Sequence, residues 1–195
     1  MLTDADLIKE CKKYNPAAQK ALYYKYAPVM KGLCIRYTNS IEDAKDILQE
    51  GFIKVFSNIS SYSGAGSIEG WIKKIIVNTA ISYYRKSSKQ YFEDITTVKD
   101  NIVEEEENRL ELYNFTQEDL TNSLSKLPIE FRYVFNLFYL ENNSHKEIAT
   151  ILSIDEKTSR TRLFRARKML KEDLEDLQEQ RHSEKVLMKK TNEQG

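Results

Sequence analysis

Seven cationic side chains lie between Glu156 and Lys171: Lys157, Arg160, Arg162, Arg165, Arg167, Lys168 and Lys171, against the single acid Glu156. Guanidinium and ammonium groups at that density neutralise phosphates, and Arg can also read base edges through paired hydrogen bonds. Leu163, Ala166 and Leu170 recur among them at helical spacing, which makes the segment a basic amphipathic helix. Immediately upstream, Ser144 and Glu147 form an S-x-x-E capping box. It starts a shorter helix whose apolar face is Ile148, Ala149, Ile151 and Leu152. Ser153, Ile154 and Asp155 make the turn, with Asp155 as N-cap of the basic helix. A short capped helix, a tight turn and a basic helix make a helix-turn-helix, whose second helix lies in a major groove. A run of like charge is ordinarily a solvated face. The seven-to-one excess of cations and the capped helix before it favour duplex DNA here. Ser153 stands at the turn position where glycine is frequent, at a cost of ~1 kcal/mol if the left-handed backbone is kept.

A second constellation lies in IEGWIKKIIVNTAISYYRK, read as a helix over Ile68–Lys86 after the polar, glycine-containing loop Ile59–Ser67. Trp71, Ile72, Ile75, Ile76, Thr79 and Ala80 fit a buried stripe, and Lys73, Lys74, Asn78, Ser82 and Tyr83 lie largely elsewhere. Aromatic rings stack bases, amides read their edges and cations hold phosphates, so the set suits single-stranded nucleic acid. Residue chemistry alone also allows the blander reading, in which Trp71 and Tyr84 are core. A third set is Asp43, Asp46, Gln49 and Glu50, with Lys54, on the polar side of a helix capped by Ser40 and running to Asn58. Its apolar face is Ala44, Ile47, Leu48, Phe52, Val55 and Phe56. The polar side is either a solvated face or a docking stripe.

These elements need a helical frame, and the composition supplies one. The chain has 195 residues, 41% of them hydrophobic, with only 3 prolines and 6 glycines, which favours an all-α fold. Asp4–Tyr14 is a short helix. Asn15-Pro16 starts a longer one to Tyr37, with Ala21, Leu22, Tyr24, Val29, Leu33 and Cys34 inward; Pro28 is expected to kink or split it. Net charge is zero but uneven. Residues 1–90 carry 14 basic and 8 acidic side chains, whereas 91–119 carry 2 and 10. That acidic strip, with the run Glu104 to Glu107, reads as a flexible linker. No apolar run approaches the twenty residues of a membrane span, and the polar N-terminus lacks a signal-peptide core. Cys11 and Cys34 have no CxxC spacing and only His145 and His182 to join them, so no metal site is expected; they read as buried or incidental thiols of a reducing cytoplasm. No nucleophile–base set points to an enzyme, and no glycine-rich phosphate loop points to a nucleotide cofactor.

Residues 43–86 resemble region two of the extracytoplasmic-function sigma factors of bacterial RNA polymerase, through DAKDILQEGF and W-x-x-x-I-x-x-N. Residues 124–174 resemble region four, through L-P-x-x-x-R, E-I-A-x-x-L and R-x-x-R-A-R, with Ser153 for the usual Gly and Ser159 for a usual Val. The resemblance implies two small helical domains, a region-two bundle over 1–90 and a region-four helix-turn-helix over 116–177. They would be joined by a flexible acidic linker over 91–115 and followed by a polar, fraying tail over 178–195.

It also implies roles. Asp43, Asp46, Gln49, Glu50 and Phe52 would dock on the clamp helices of the polymerase's largest subunit, and the flap of the second largest would be a further contact. Tyr62 and Asn78 would capture an unstacked base of the minus-ten element, flanked by Lys73, Lys74, Ser82 and Tyr83. Lys157, Arg160, Thr161, Phe164 and Arg165 would contact the minus-thirty-five element, with Arg162 and Arg167 bracing the domain, for example against Glu147. The expected function is promoter-specific initiation by a cytoplasmic, non-enzymatic subunit without cofactor, binding duplex and melted promoter DNA and open to control by an anti-sigma partner. The alternative from the residues alone is a stand-alone helix-turn-helix regulator of duplex operators, which leaves the Gln49-Glu50-Gly51 stripe and the Tyr62/Asn78 pair unexplained.

Overall fold

A computed structural model of the chain describes residues 3–88 and 115–192, with side-chain surroundings for 3–86 and 115–183. Among the described residues every regular element is a helix, as the composition implies. The chain divides into two compact units, Met1–Thr97 and Val98–Gly195. The acidic segment read as a linker lies almost wholly outside the described residues.

In the first unit, α1 (Asp4–Cys11) opens on a capping box between Thr3 and Asp6. Tyr14, at φ 61, turns the chain left-handed after α1 has ended, three residues earlier than the sequence suggested. Asn15 accepts from the amides of Ala17 and Ala18 and starts α2 (Pro16–Arg36) with proline in its first turn, where a missing N–H costs nothing. Pro28 does not split α2, which runs unbroken. The carbonyl that Pro28 leaves without its helical donor belongs to Tyr24; both residues are exposed, so water can satisfy it. The expected inward face of α2 also needs correcting. Ala21, Tyr24 and Val29 are exposed, and Ala18, Tyr26, Ala27 and Met30 are buried instead. Tyr26 shares the inward face with Leu22, Met30 and Leu33, and its hydroxyl donates to Asp4 at 3.0 Å, so the burial leaves no orphaned polar atom.

Helix α3 (Ile41–Asn58) is capped by Ser40, whose hydroxyl accepts from the Asp43 amide. A 3-10 turn, Ile59–Ser61, and a loop lead to α4 (Ile68–Ser88). The core is Leu22, Met30 and Cys34 of α2, Ala44, Ile47, Phe52 and Val55 of α3, and Ile72, Ile76 and Ala80 of α4. Trp71 and Ile75, read as part of the buried stripe, are only half-buried. Cys11 and Cys34 are both free and inaccessible, and burial pushes the Cys34 thiol up to about 12.

In the second unit, α5 (Gln117–Lys126) begins with a Thr116–Asp119 capping box and α6 (Ile129–Tyr139) follows Pro128. The arginine of the L-P-x-x-x-R motif, Arg132, is buried. Its Nη2 donates to the Ser125 and Leu127 carbonyls at 3.1 and 3.0 Å, supplying a donor to the carbonyl-bearing end of α5. Helices α7 (His145–Leu152) and α8 (Glu156–Asn192) complete the unit. Their core is Ile148, Leu152, Leu163, Ala166, Leu170 and Leu174, packed on Tyr133, Val134 and Leu137 of α6. The tail does not begin at residue 178: α8 runs on to Asn192. Lys126 bonds Asp173 and Arg181 bonds Asp119, both at 2.6 Å, and so tie α8 to α5.

Candidate nucleic-acid interface

The helix-turn-helix is built as its residues dictate. The Ser144 hydroxyl accepts from the Glu147 amide, and the Glu147 carboxylate accepts from the Ser144 amide at 2.8 Å. Glu147 is thereby turned to its own cap, not to the arginines of α8. Ser153 does take the left-handed backbone, at φ 57 and ψ 44. Asp155 caps α8, accepting from the Thr158 amide at 2.6 Å and its hydroxyl at 2.7 Å, and those bonds hold its carboxyl below the usual range. Ser159 is fully buried, and its hydroxyl lies 2.9 Å from His145 Nδ1. His145 in turn stacks on Phe138 at 4.9 Å. Burial, then the charge of Arg160, pushes the His145 imidazole down, with Glu156 opposing. The serine that departs from the valine pattern is therefore matched by a histidine across the turn.

Three- and four-residue steps decide which side chains share a helix face. On α8, Lys157, Thr161, Phe164 and Lys168 follow such steps opposite the buried Ser159, Leu163, Ala166 and Leu170, with Arg160 and Arg165 flanking. Phe164 is 42% exposed, an apolar ring in a cationic stripe. Arg160 lies along its own helix, paired with Glu156 at 2.6 Å. Arg162 and Arg167 are half-buried, on the sides of the helix.

On α4 the residues read as contacting single-stranded nucleic acid do not form one group. Trp71, Lys74, Asn78 and Ser82 share a face, with Lys74, Asn78 and Ser82 exposed and the Ser82 hydroxyl donating to the Asn78 carbonyl. Lys73 lies off that line. Tyr83 faces α3, where its hydroxyl donates to Asp43; that bond raises the Tyr83 pKa first, with burial adding to it. Tyr62 is only 8% exposed. Its ring packs on Trp71 at 5.5 Å and its hydroxyl donates to the Gly66 carbonyl at 2.7 Å. In this conformation it walls the head of the α4 stripe and is not an open stacking platform. Trp71, assigned to the core from sequence, belongs to this stripe.

On α3, Asp46, Gln49 and Glu50 share the outward face, and Asp43 lies at its edge against Tyr83. Lys54 bonds Glu50 at 2.7 Å and holds its carboxyl below the usual range. Phe52 is not part of the stripe. It is 2% exposed, packed edge-on against Tyr23 at 4.8 Å, because it projects from the side of α3 that meets α2. The stripe gains Ile53 instead, 58% exposed and one turn beyond Gln49 and Glu50. Gln49 and Ile53 line an open groove of about 380 Å³ between α2 and α3. An isoleucine on the polar side of an amphipathic helix was the signal that could have found it.

Residues 22–90 match the sigma-70 region 2 family and residues 117–170 the sigma-70, region 4 family. The chain is 31% identical over 183 residues to the ECF RNA polymerase sigma factor SigW of Bacillus subtilis (strain 168), covering 87% of this chain and 96% of that protein. The chain belongs to the extracytoplasmic-function sigma factors. It is also 26% identical over 194 residues to the ECF RNA polymerase sigma-E factor of Haemophilus influenzae, covering 90% and 97% of the two. Among solved structures it is similar to the sigma factor RpoE of Bartonella quintana in complex with the anti-sigma factor NepR, with 22% identity, 80% of this chain and 96% of that one covered, and a TM-score of 0.46. As a sigma factor the chain serves transcription initiation by RNA polymerase, and the stand-alone regulator reading is not favoured. No described helix is long and apolar enough to cross a membrane.

Proposed function

We propose that this sigma factor divides initiation between its units as its surfaces divide. The α3 stripe of Asp46, Gln49 and Glu50, extended by Ile53, docks on the clamp helices of the polymerase's largest subunit, where acidic and amide groups meet a basic coiled coil. The α4 stripe of Lys74, Asn78 and Ser82, headed by Tyr62 and Trp71, receives the minus-ten strand. An extruded base packed in a pocket there offsets an unstacking cost of a few kcal/mol. The outer face of α8, with Lys157, Arg160, Thr161, Phe164 and Arg165, reads the minus-thirty-five duplex from the major groove. Lys73, Tyr83 and Asp43 brace these surfaces, and Phe52 supports them from the core. The domains are 1–90 and one that starts at 116 and continues past 177 along α8, with the acidic segment 91–115 crossing the polymerase's positive channel as a mimic of nucleic-acid charge. The factor acts in the cytoplasm, without catalysis of its own, and an anti-sigma partner that covers these stripes silences it.

The observation that carries this reading is the order of the two family matches along one chain, each coinciding with a unit that exposes a polar stripe. Purified protein is mixed with bacterial core RNA polymerase and tested in promoter-dependent run-off transcription, beside the Glu50→Lys variant. Stable holoenzyme and specific transcripts are expected from the native chain, and loss of holoenzyme with unchanged helicity from the variant. Normal assembly by Glu50→Lys refutes the docking face; tight duplex binding by the protein alone, with none to core, refutes the whole assignment.

A further inference from the structure

The loop that carries Tyr62 is held at a point that no sequence motif marks. Its internal bonds are local. The Tyr62 amide donates to the Ile59 carbonyl at 3.2 Å, the Tyr62 hydroxyl to Gly66, and the Ala65 amide to the Ser63 hydroxyl at 3.4 Å. Gly64 and Gly66, at φ 84 and 81, give the backbone the sharp path that closes the ring. A loop closed on itself in this way can pivot as a unit about its two ends. Besides the packing of the Tyr62 ring on Trp71, one long-range hydrogen bond among the described residues opposes that: the Lys12 ammonium, at the end of α1, donates to the Tyr62 carbonyl at 2.8 Å, across 50 residues of sequence. The anchor itself is fixed. Leu7 and Cys11 bury α1 in the bundle, and Asp4 binds Lys25 at 2.6 Å and Tyr26 at 3.0 Å on α2.

We propose that Lys12 is a positioning residue for minus-ten discrimination: its bond to the Tyr62 carbonyl holds the loop in one register over Trp71, at the head of the α4 stripe. The proposal rests on the reading of that stripe as the minus-ten site. A base entering there meets a wall already ordered, and the free energy that ordering would consume is kept for telling bases apart. Lys12 touches no DNA in this scheme; it acts through the loop.

The test uses the full chain assembled with bacterial core RNA polymerase on a promoter library randomised across the minus-ten element, read by single-round run-off. Hydrogen exchange of the free protein over residues 62–67 is measured in parallel. Lys12→Gln is expected to speed exchange in the loop and to flatten the preference at one minus-ten position roughly three- to tenfold, the worth of one net hydrogen bond. Core binding should be unchanged, and Lys12→Arg should restore both readouts. Unchanged exchange in Lys12→Gln overturns the proposal, as does faster exchange with every base preference intact. Tyr62→Ala separates it from the underlying reading. If Tyr62→Ala flattens the preference and Lys12→Gln does not, base capture stands and the anchor falls. If Lys12→Gln flattens it and Tyr62→Ala does not, the anchor stands and capture by the Tyr62 ring falls.

Discussion

The spacing between the proposed docking stripe and the α4 stripe is set where α3 meets α4, and one glycine permits it. A Cβ on Gly51 would lie 2.3 Å from Ile76 Cδ1, 3.5 Å from its Cγ1 and 3.7 Å from its Cα. Carbon atoms pack at ~3.5–4.0 Å, so the Ile76 terminal methyl would have to retreat by more than ~1 Å. Ile76 is fully buried, so a shift of its methyl has to be taken up by the side chains packed around it. Overpacking of this kind costs about 1–3 kcal/mol, against about 1 kcal/mol gained by replacing a mid-helix glycine with alanine. Gly51→Ala should therefore destabilise the first unit by up to ~2 kcal/mol. Ile76→Val deletes the obstructing methyl and should cost ~0.5–1.5 kcal/mol alone. In the double variant the alanine methyl fills the vacated space and the helix gain remains. The pair should be no less stable than Ile76→Val, with a favourable coupling of ~1–3 kcal/mol. Trp71, the only tryptophan, lies on α4, so urea unfolding followed by its fluorescence reports on this unit. Effects of the two substitutions that add within ~0.5 kcal/mol would refute the close approach.

Ser153→Gly should stabilise the second unit by about 0.5–1 kcal/mol, measured by thermal denaturation, because glycine adopts φ 57 without strain. Ser159→Ala strands His145 Nδ1 and should cost about 1–3 kcal/mol, whereas the double change Ser159→Val with His145→Leu, which removes both polar partners, should cost much less. Stability should also fall in acid in two stages. His145 has a depressed folded pKa, so the unfolded chain binds its proton first and stability is lost as pH drops below ~6.5. The Arg181 guanidinium and the Thr116 cap hold the Asp119 carboxyl at about 2, so its contribution, complete above ~4, is lost between ~4 and about 2. In Arg181→Ala the second stage should shrink in a pH series of melting curves; an unchanged acid limb would show that the α5–α8 tie is not made in solution.

Local chemistry was legible wherever a side chain bonds its own backbone. Ser40, Ser144 with Glu147, Asn15 with Pro16, and Asp155 each mark a helix start that the structure contains. Choices settled by packing were not legible. Tyr24 and Tyr26 are the same residue type two positions apart; the phase of α2 in the bundle turns Tyr26 inward, where Asp4 of α1 accepts from its hydroxyl, and leaves Tyr24 outside. Phe52 and Ile53 are adjacent and both apolar, and only the phase of α3 on α2 puts one in the core and the other on the proposed docking face. The length of α8 was missed for a related reason. Between Leu170 and Val186 its apolar signal thins to Leu174 and Leu177, and the bonds that add to it there, Lys126 to Asp173 and Arg181 to Asp119, reach back across the unit to α5. The L-P-x-x-x-R motif was visible as a pattern, but that Arg132 serves the carbonyls of the preceding helix follows only from its burial.

The polar contacts of this molecule sort by permanence, and the sorting fits a subunit that must bind and release. Contacts that define its shape are buried or close a cap: Arg132 on the α5 carbonyls, Ser159 on His145, Tyr26 on Asp4. Contacts along the proposed binding faces are local pairs one helical turn apart, Glu50 with Lys54, Arg160 with Glu156 and Lys168 with Glu172, between side chains 39–67% exposed. Such pairs contribute at most ~1 kcal/mol each. Exchanging one for a polymerase cation or a promoter phosphate therefore costs little of the fold, while in the free protein each pair keeps a long side chain lying along its helix. The Tyr62 loop stands between these classes. Its backbone is tied at the Tyr62 carbonyl by a lysine from another helix, and that is where, as proposed, a single surface residue changes what the site selects without changing whether the protein folds.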